Sequence, residues 1–437
     1  MKGCSKHICP NCVGEEFIKK LNCDKGKHRA CSYCSNDSPT LSVEQLADKV
    51  EPVLENNYWK VDRDVCVSAA QQVQNVVAKE LCVADEIAND VASEIRQRGN
   101  VYPDSGNFLY IHDNSGIGQF GSLWHKFENC LTTKSRFFSP SAKTILDEIF
   151  GDLSKLNSLS GASIVTIAGP GGEFQDIFRA RVFGDDDQKL NSALRKPWID
   201  LAGPPSEVAS AGRMNAHGIS VFYGAKDELT AIYEARPPVG SKVVVAEFSI
   251  QRTVRLLNIT SLKSVEAKGS SFDPSEVRRM ERANFLRILS ERMSRPVMPN
   301  NELFEYLPTQ AVADYLATEA DFDGIIYPSV QRGHRTSNVA LFHHAARVEE
   351  EEVMEGKRLS VEMDVLDNPF GIVRRVWEKP ERDRKAPSIV KFENPDTRPE
   401  TLKIKLENVT NHYVKEVKMD TESFIVPRDV EPLAWLP

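Results

Sequence analysis

The sequence predicts an α+β protein in which a cysteine-rich segment and a helical region precede a mixed domain, and three observations carry that prediction. Six of the nine cysteines fall before residue 35. Between about 40 and 160 the apolar residues recur at helical spacing. After Gly161 the text changes to short β-like runs interrupted by a few helices, without the regular βα alternation of a doubly wound fold. A chain of 437 residues exceeds what one core supports. The segments read as residues 1–38, 39–160, 161–346 and 347–437.

Composition narrows the function classes. At 41% hydrophobic and 27% charged residues the chain is of the soluble globular type. A net charge of -8 argues against nucleic acid as a general partner. The N-terminal MKGCSKHICP lacks the apolar stretch of a signal peptide. No run approaches the roughly 20 apolar residues of a membrane helix. The expected compartment is therefore the reducing cytoplasm, and an odd number of cysteines there disfavours a disulfide framework.

The segment 1–38 is rich in Cys, Lys and Gly and poor in apolar periodicity, so it needs a staple to fold. Cys9-Pro-Asn-Cys12 and Cys31-Ser-Tyr-Cys34, with positions 13–30 between them, have the spacing of a tetrahedral four-cysteine zinc site. Each two-residue spacer lets a tight turn aim both thiolates at one ion. Structural zinc on Cys9, Cys12, Cys31 and Cys34 is the expectation, with thiol redox chemistry or unliganded thiols as alternatives. Cys23 or His28, between the pairs, could replace one ligand. Cys66, Cys82 and Cys130 stand in apolar helical text and read as packing residues.

Ser42-Val-Glu-Gln45 reads as a capping box opening the first long helix. Helical text continues from about 64 to a stop at Gly99, and another helix opens at Ser139-Pro140 with Ala142, Ile145, Leu146, Ile149 and Phe150 on one face. Strands are expected in ASIVTIAG, FRARVF, ISVFYGA, SKVVVAEFSI, VRLLNIT, GIIYPS and NVALF. Between them one helix opens at Asp273-Pro274, with Phe285, Ile288, Leu289 and Met293 facing inward. Another follows Pro308, with Val312 and Leu316. Past an acidic linker, EEVMEGK, alternation at Leu359, Val361, Met363 and Val365, and again at Leu402, Ile404 and Leu406, indicates a β-rich extension.

Two glycine strings are decoys. Gly116-Ile-Gly118-Gln-Phe-Gly121 follows the strand-like FLYIHD, but no second parallel strand and no acid near 136–140 complete a dinucleotide fingerprint. Gly169-Pro-Gly171-Gly172 lacks the Lys-Ser/Thr of a phosphate loop and reads as a turn.

Chemistry-bearing residues cluster between 200 and 345. Gly212-Arg213-Met-Asn215-Ala-His-Gly218 is a basic turn bracketed by glycines, suited to close approach of a phosphate. Tyr223 ends a strand and Glu234 lies in a helix capped at Asp227. Ser329 follows GIIYP, and Asn338 opens VALF. GRMNAHGISVFYGAKDELTAIYEARP, with LPTQAVADYLATEADFDGIIYPS and SNVALF, resembles the RES domain, the effector of certain bacterial toxin–antitoxin systems. The resemblance runs from about position 175 to about position 345. Arg179 resembles the family's first arginine, Arg213 the second, Tyr223 and Glu234 its tyrosine and glutamate, and Ser329 its serine. More weakly, the cysteine and helical regions resemble the HEPN-like extension before some RES domains, although residues 40–160 carry no Arg-x4–6-His nuclease pair.

The resemblance implies a fold related to ADP-ribosyltransferases and an attack on the nicotinamide–ribose bond of NAD, by hydrolysis or phosphorolysis. A protein mono-ADP-ribosyltransferase, or a non-catalytic zinc-dependent interaction protein, are the alternatives. It also implies an antitoxin or trigger partner; a homo-oligomer stays open. The residue types agree with that chemistry. Cleavage passes through an oxocarbenium-like state, and nicotinamide leaves without needing a general acid. Glu234 can therefore stabilise the developing charge, Arg179 and Arg213 suit the pyrophosphate, and Tyr223 suits stacking on nicotinamide. Ser329 and Asn338 are the candidates for the ribose. Arg181, on the same side of its strand as Arg179, could take that arginine's role, and His217 is a further candidate contact. His343 and His344 follow a core strand and are assigned no role.

Overall fold

The computed structural model describes residues 6–62, 69–98, 108–112, 119–133, 139–266, 269–351, 357–365, 372–380, 396–418, 421–424 and 426. It is an α+β protein. The chain begins with β1 (His7–Ile8), α1 (Glu16–Lys25), β2 (Lys27–Ala30), β3 (Asp37–Ser42) and α2 (Val43–Asn57). It continues through β4 (Tyr58–Asp62), α3 (Val73–Leu81), α4 (Asp85–Arg98), β5 (Phe108–His112), α5 (Gln119–Thr133), α6 (Pro140–Phe150) and β6 (Val165–Ala168). Then come β7 (Asp176–Gly184), α7 (Asp187–Arg195), α8 (Pro197–Asp200), β8 (Phe222–Ala225), α9 (Glu228–Glu234) and β9 (Lys242–Ile250). Next are β10 (Val254–Asn258), α10 (Ile259–Leu262), α11 (Pro274–Ser294), α12 (Glu302–Glu305), α13 (Leu307–Thr318) and β11 (Gly324–Pro328). The last strands are β12 (Ser337–Leu341), β13 (Lys357–Val365), β14 (Ile372–Pro380), β15 (Leu402–Ile404) and β16 (Thr410–Tyr413).

These elements form two compact units. The first holds residues 1–168, 206–220 and 254–330; the second holds 169–205, 221–253 and 331–437. In the first unit β3 pairs antiparallel with both β1 and β2. The capping box forms as read: the Ser42 hydroxyl accepts from the Gln45 amide, and the Gln45 side chain accepts from the Ser42 amide. Ile8, Val13 and Ile18 join Leu46, Val50, Val76, Val77 and Val91 in one apolar cluster, so the cysteine-rich segment shares a core with α2 to α4. Gly14 sits against the end of α3, where an added Cβ would come within 2.7 Å of the Cys82 Cβ.

The expected helix between 64 and 98 is two helices, α3 and α4. Cys82 ends the first in the left-handed region at φ 50° and is exposed, which corrects its assignment as a packing residue. Cys130 is buried as expected; Cys66 and Gly99 lie outside the described residues. On α6 the five predicted core residues are the ones buried, and Ser139 caps the helix. On α11 Leu286 is buried and Ile288 is only half-buried, a small rotation of the predicted face. The strand before the first glycine string, β5, pairs antiparallel with β4 rather than entering a parallel βαβ unit. In the same unit β10 pairs parallel with β11 and antiparallel with β6.

The second unit is built around β9, whose Val243, Val244, Val245, Ala246, Phe248 and Ile250 are all buried. A run buried on both faces is what a central strand requires. β9 pairs antiparallel with β7 on one side. On the other side β15 covers Phe248–Ile250 and β16 covers Lys242–Val245. β8 pairs antiparallel with both β7 and β12. The second glycine string is a turn, with Gly169 at φ +98° and an added Cβ there only 2.3 Å from the Arg252 carbonyl oxygen. The β-rich extension is the hairpin β13–β14 together with β15 and β16. Leu406, expected to continue the alternation, instead lies in a one-turn helix and is exposed. Among the described residues, no helix is long and apolar enough to cross a membrane.

Candidate functional site

Strand register decides which predicted residues share a face. Asn338 lies opposite Ala225 and Ala340 opposite Tyr223, so Tyr223 and Asn338 project to the same side as diagonal neighbours. The small Ala225 and Ala340 complete that square. Helix α9 covers this face, packing Ala231 and Ile232 on Ala225, Val243, Val245, Phe178 and Ala180. Its start is fixed by Asp227, which accepts from the Thr230 amide at 2.8 Å. Its last residue is Glu234. Asn338, 2% exposed, donates from Nδ2 to Glu234 Oε1 at 2.8 Å. The other amide atom, Asn338 Oδ1, is buried without a hydrogen-bond partner. A buried acceptor left in that state costs about 1–3 kcal/mol, which a ligand donor would remove.

Arg179 stands elsewhere. It pairs with Ala246 while its neighbour Phe178 pairs with Ala225, so Arg179 projects from the face opposite to α9. Its Nη1 donates to the Tyr223 carbonyl at 2.9 Å, and its guanidinium lies 4.9 Å from the Phe222 ring centre. Arg181 does face the same side, as expected, and donates to the Asp200 carbonyl at 2.6 Å. The structure thus brings Tyr223, Glu234 and Asn338 to one face of the second unit and sets Arg179 on the other.

Arg213 and Ser329 belong to the first unit. The Arg213 turn is closed by a bridge between Gly212 and Asn215. Its guanidinium donates to the Met293 carbonyl at 2.7 Å and the Arg295 carbonyl at 2.6 Å, and lies 5.3 Å from the Tyr306 ring centre. Carbonyls at a helix C-terminus lack intrahelical partners, and an arginine there satisfies them. Gln310 Nε2 donates to the Gly212 carbonyl at 2.8 Å and so holds the same turn. Ser329 is fully buried directly after β11. His217 is exposed in the Arg213 turn.

Sequence reasoning missed Arg332. It stands in the turn Gln331-Arg332-Gly-His-Arg335 ahead of β12, half-buried, with its guanidinium 5.2 Å from the ring centre of Tyr233, the residue before Glu234. Its Nε is buried without a hydrogen-bond partner. Beside it the Gln331 side-chain oxygen, once the amide is turned toward Arg236, accepts from Arg236 Nε at 3.2 Å and Nη2 at 2.9 Å. Burial pushes the Asp227 carboxyl up, but hydrogen bonds from Thr230 and Thr336 and the charge of Arg332 outweigh it and hold the group below the usual carboxylate range. A basic turn between two motif residues was the one signal that could have found Arg332.

The cysteine cluster is a separate centre in the first unit. Cys9 Sγ lies 3.4 Å from Cys34 Sγ, Cys12 Sγ lies 3.8 Å from Cys31 Sγ, and all four sulfurs fall within 4.8 Å of one another. Four sulfurs about 2.3 Å from one tetrahedral zinc would stand roughly 3.8 Å apart. The thiols form no disulfide, and the donor set fits a thiophilic metal. At Cys31 burial pushes the thiol up, but backbone amides of Tyr33, Cys9 and Cys34 outweigh it and bring it down to about 7. Cys23 is exposed and outside the quartet.

A family model for the RES domain matches residues 180–364. The chain carries a RES domain. The match includes Arg213, Tyr223, Glu234, Ser329, Arg332 and Asn338, and begins one residue after Arg179. RES domains are associated with enzymatic toxins that act on NAD. No curated protein and no solved structure matches the chain.

Proposed function

We propose that the protein is a NAD-consuming toxin or defence effector that cleaves the nicotinamide–ribose bond. The observation that carries this reading is the Asn338–Glu234 pair at 2.8 Å, on the face shared with Tyr223. In the proposed reaction the ribose C1′–nitrogen bond breaks and nicotinamide departs neutral with the bonding electrons. The Glu234 carboxylate stabilises the cationic ribose. An acceptor oxygen then bonds to C1′ and releases its proton. Asn338 fixes the carboxylate through Nδ2, and its buried Oδ1 is an acceptor suited to a ribose hydroxyl. The half-buried Tyr223 supplies a ring for the nicotinamide, and Ser329 is a candidate for the ribose or the acceptor. Arg179 and Arg213 are read here as holding the scaffold, since their donors serve backbone carbonyls.

Zinc on Cys9, Cys12, Cys31 and Cys34 is proposed as a structural ion that joins α1 to the strands around it. The protein is proposed to act in the cytoplasm, restrained by an antitoxin or trigger protein, with the HEPN-like helical region serving as a scaffold or sensor. Incubation with NAD, with and without phosphate, followed by product masses, tests the reading. Release of nicotinamide by the purified protein supports it. Intact NAD until a second protein is added, with ADP-ribose appearing on that protein, would favour transfer instead. Intact NAD under both conditions, unchanged by Glu234→Gln, would leave a non-catalytic interaction protein.

A further inference from the structure

A dinucleotide carries its pyrophosphate at the opposite end of the same ribose whose glycosidic bond is cut. A site built on Glu234 therefore needs a cation one ribose away. The two arginines expected from the sequence do not fit that need. Arg213 gives both terminal nitrogens to carbonyls at the end of α11, and Arg179 projects from the sheet face opposite to α9. Arg332 differs from both. Its guanidinium is held by the Tyr233 ring rather than by an acceptor. Its charge acts on the Asp227 carboxyl, but no hydrogen bond to another described residue ties it down, and its Nε is buried without a partner. A guanidinium seated against a ring keeps its terminal N–H groups for a forked oxyanion.

We infer that Arg332 is the guanidinium that receives the pyrophosphate of the dinucleotide; this rests on the NAD reading above. Tyr233 and Glu234 are consecutive on α9, so the seat of the cation and the carboxylate are set by one helix turn. Arg236, bonded to Gln331, ties the end of that helix to the turn bearing Arg332. The exposed Arg335 adds positive charge there. On a chain of net charge -8, that local cation cluster is where an anionic ligand is drawn.

The test uses the full chain and two substitutions, Arg332→Ala and Arg332→Lys. ADP-ribose, which keeps the pyrophosphate and lacks nicotinamide, is titrated calorimetrically at two salt concentrations, with inorganic phosphate as a separate arm. NAD and nicotinamide riboside turnover are measured alongside. Arg332→Ala should weaken ADP-ribose by about tenfold or more and raise the KM for NAD similarly, with kcat nearly unchanged. Arg332→Lys should recover part of the affinity, and nicotinamide riboside, which has no pyrophosphate, should be handled alike by wild type and variant. Unchanged ADP-ribose affinity and KM in folded Arg332→Ala would overturn the assignment while leaving the NAD reading standing. A loss confined to the inorganic phosphate arm would also overturn it, by making Arg332 an acceptor site. If the wild type neither binds ADP-ribose nor consumes NAD, both readings fall together.

Discussion

The cysteine cluster and the Glu234 region are both small sets of polar groups seated on an apolar base, and they differ in how completely they are satisfied. The four sulfurs converge on one point. Every ligand comes from positions 9–34, around a helix whose Ile18 is buried in the core of the first unit. Around Glu234 the balance is different. Asn338 Oδ1 and Arg332 Nε are buried without partners, and the residues come from segments about 100 positions apart. A closed set of ligands stabilises the folded state itself, whereas unpartnered donors and acceptors beside a carboxylate suit the ligand proposed for that region.

Metal removal should break this comparison most sharply. Structural zinc supplies on the order of 10–16 kcal/mol of folding free energy in isolated zinc modules. Chelation, or Cys31→Ser, should therefore erase hydrogen-exchange protection over residues 6–42. NAD consumption should persist, because Glu234, Asn338 and Tyr223 belong to the second unit and Ser329 lies outside the segment 6–42. Parallel loss of both would show that the two centres are one cooperative system.

Glu234→Gln should act in the opposite sense. Removing one electrostatic stabiliser of a charged transition state lowers kcat by about 10²–10³-fold, and the melting temperature should stay within a degree or two. Asn338→Ala should fall between these. It deletes a charge-assisted hydrogen bond worth about 1.5–3 kcal/mol, so kcat/KM should drop about tenfold or more, with metal content unaltered. A variant that loses its zinc on this substitution would blur the distinction drawn above.

The smallest effect is expected at the start of α9. Asp227→Ala removes an N-cap and should cost about 0.5–2 kcal/mol of stability, read by denaturant titration at neutral pH. The sign with pH follows from the carboxyl being held below its usual range in the fold. Its contribution is present above the unfolded-state value, near pH 4, and is lost as pH falls through the lower folded value. Wild type and variant should therefore converge in stability on acidification. A gap that widens toward acid would contradict the cap.

Local chemistry was legible in the sequence. The cysteine pairs, the Ser42–Gln45 box and the buried face of α6 depend on neighbours a few positions away, where spacing alone sets geometry. The Asn338–Glu234 contact was half legible, since both residues stood in motif blocks but their meeting did not. What escaped depended on sheet order. Arg179 has an unambiguous alternation, yet which face a helix covers is settled only when β7, β8 and β12 are assembled. Arg213 escaped similarly: its acceptors, the carbonyls of Met293 and Arg295, lie about 80 positions downstream. Cys82 escaped because its apolar surroundings hid a helix end.

The strands β15 and β16 have a consequence for how the molecule comes into being. They close the flank of β9, yet they are translated long after it, beyond the end of the family match at 364. Until that late stretch clears the ribosome, a valine-rich strand waits with one row of amides and carbonyls uncovered, a standing invitation to mispairing. A gene broken between codons 365 and 400 would leave the recognisable domain intact on paper and its sheet permanently unfinished.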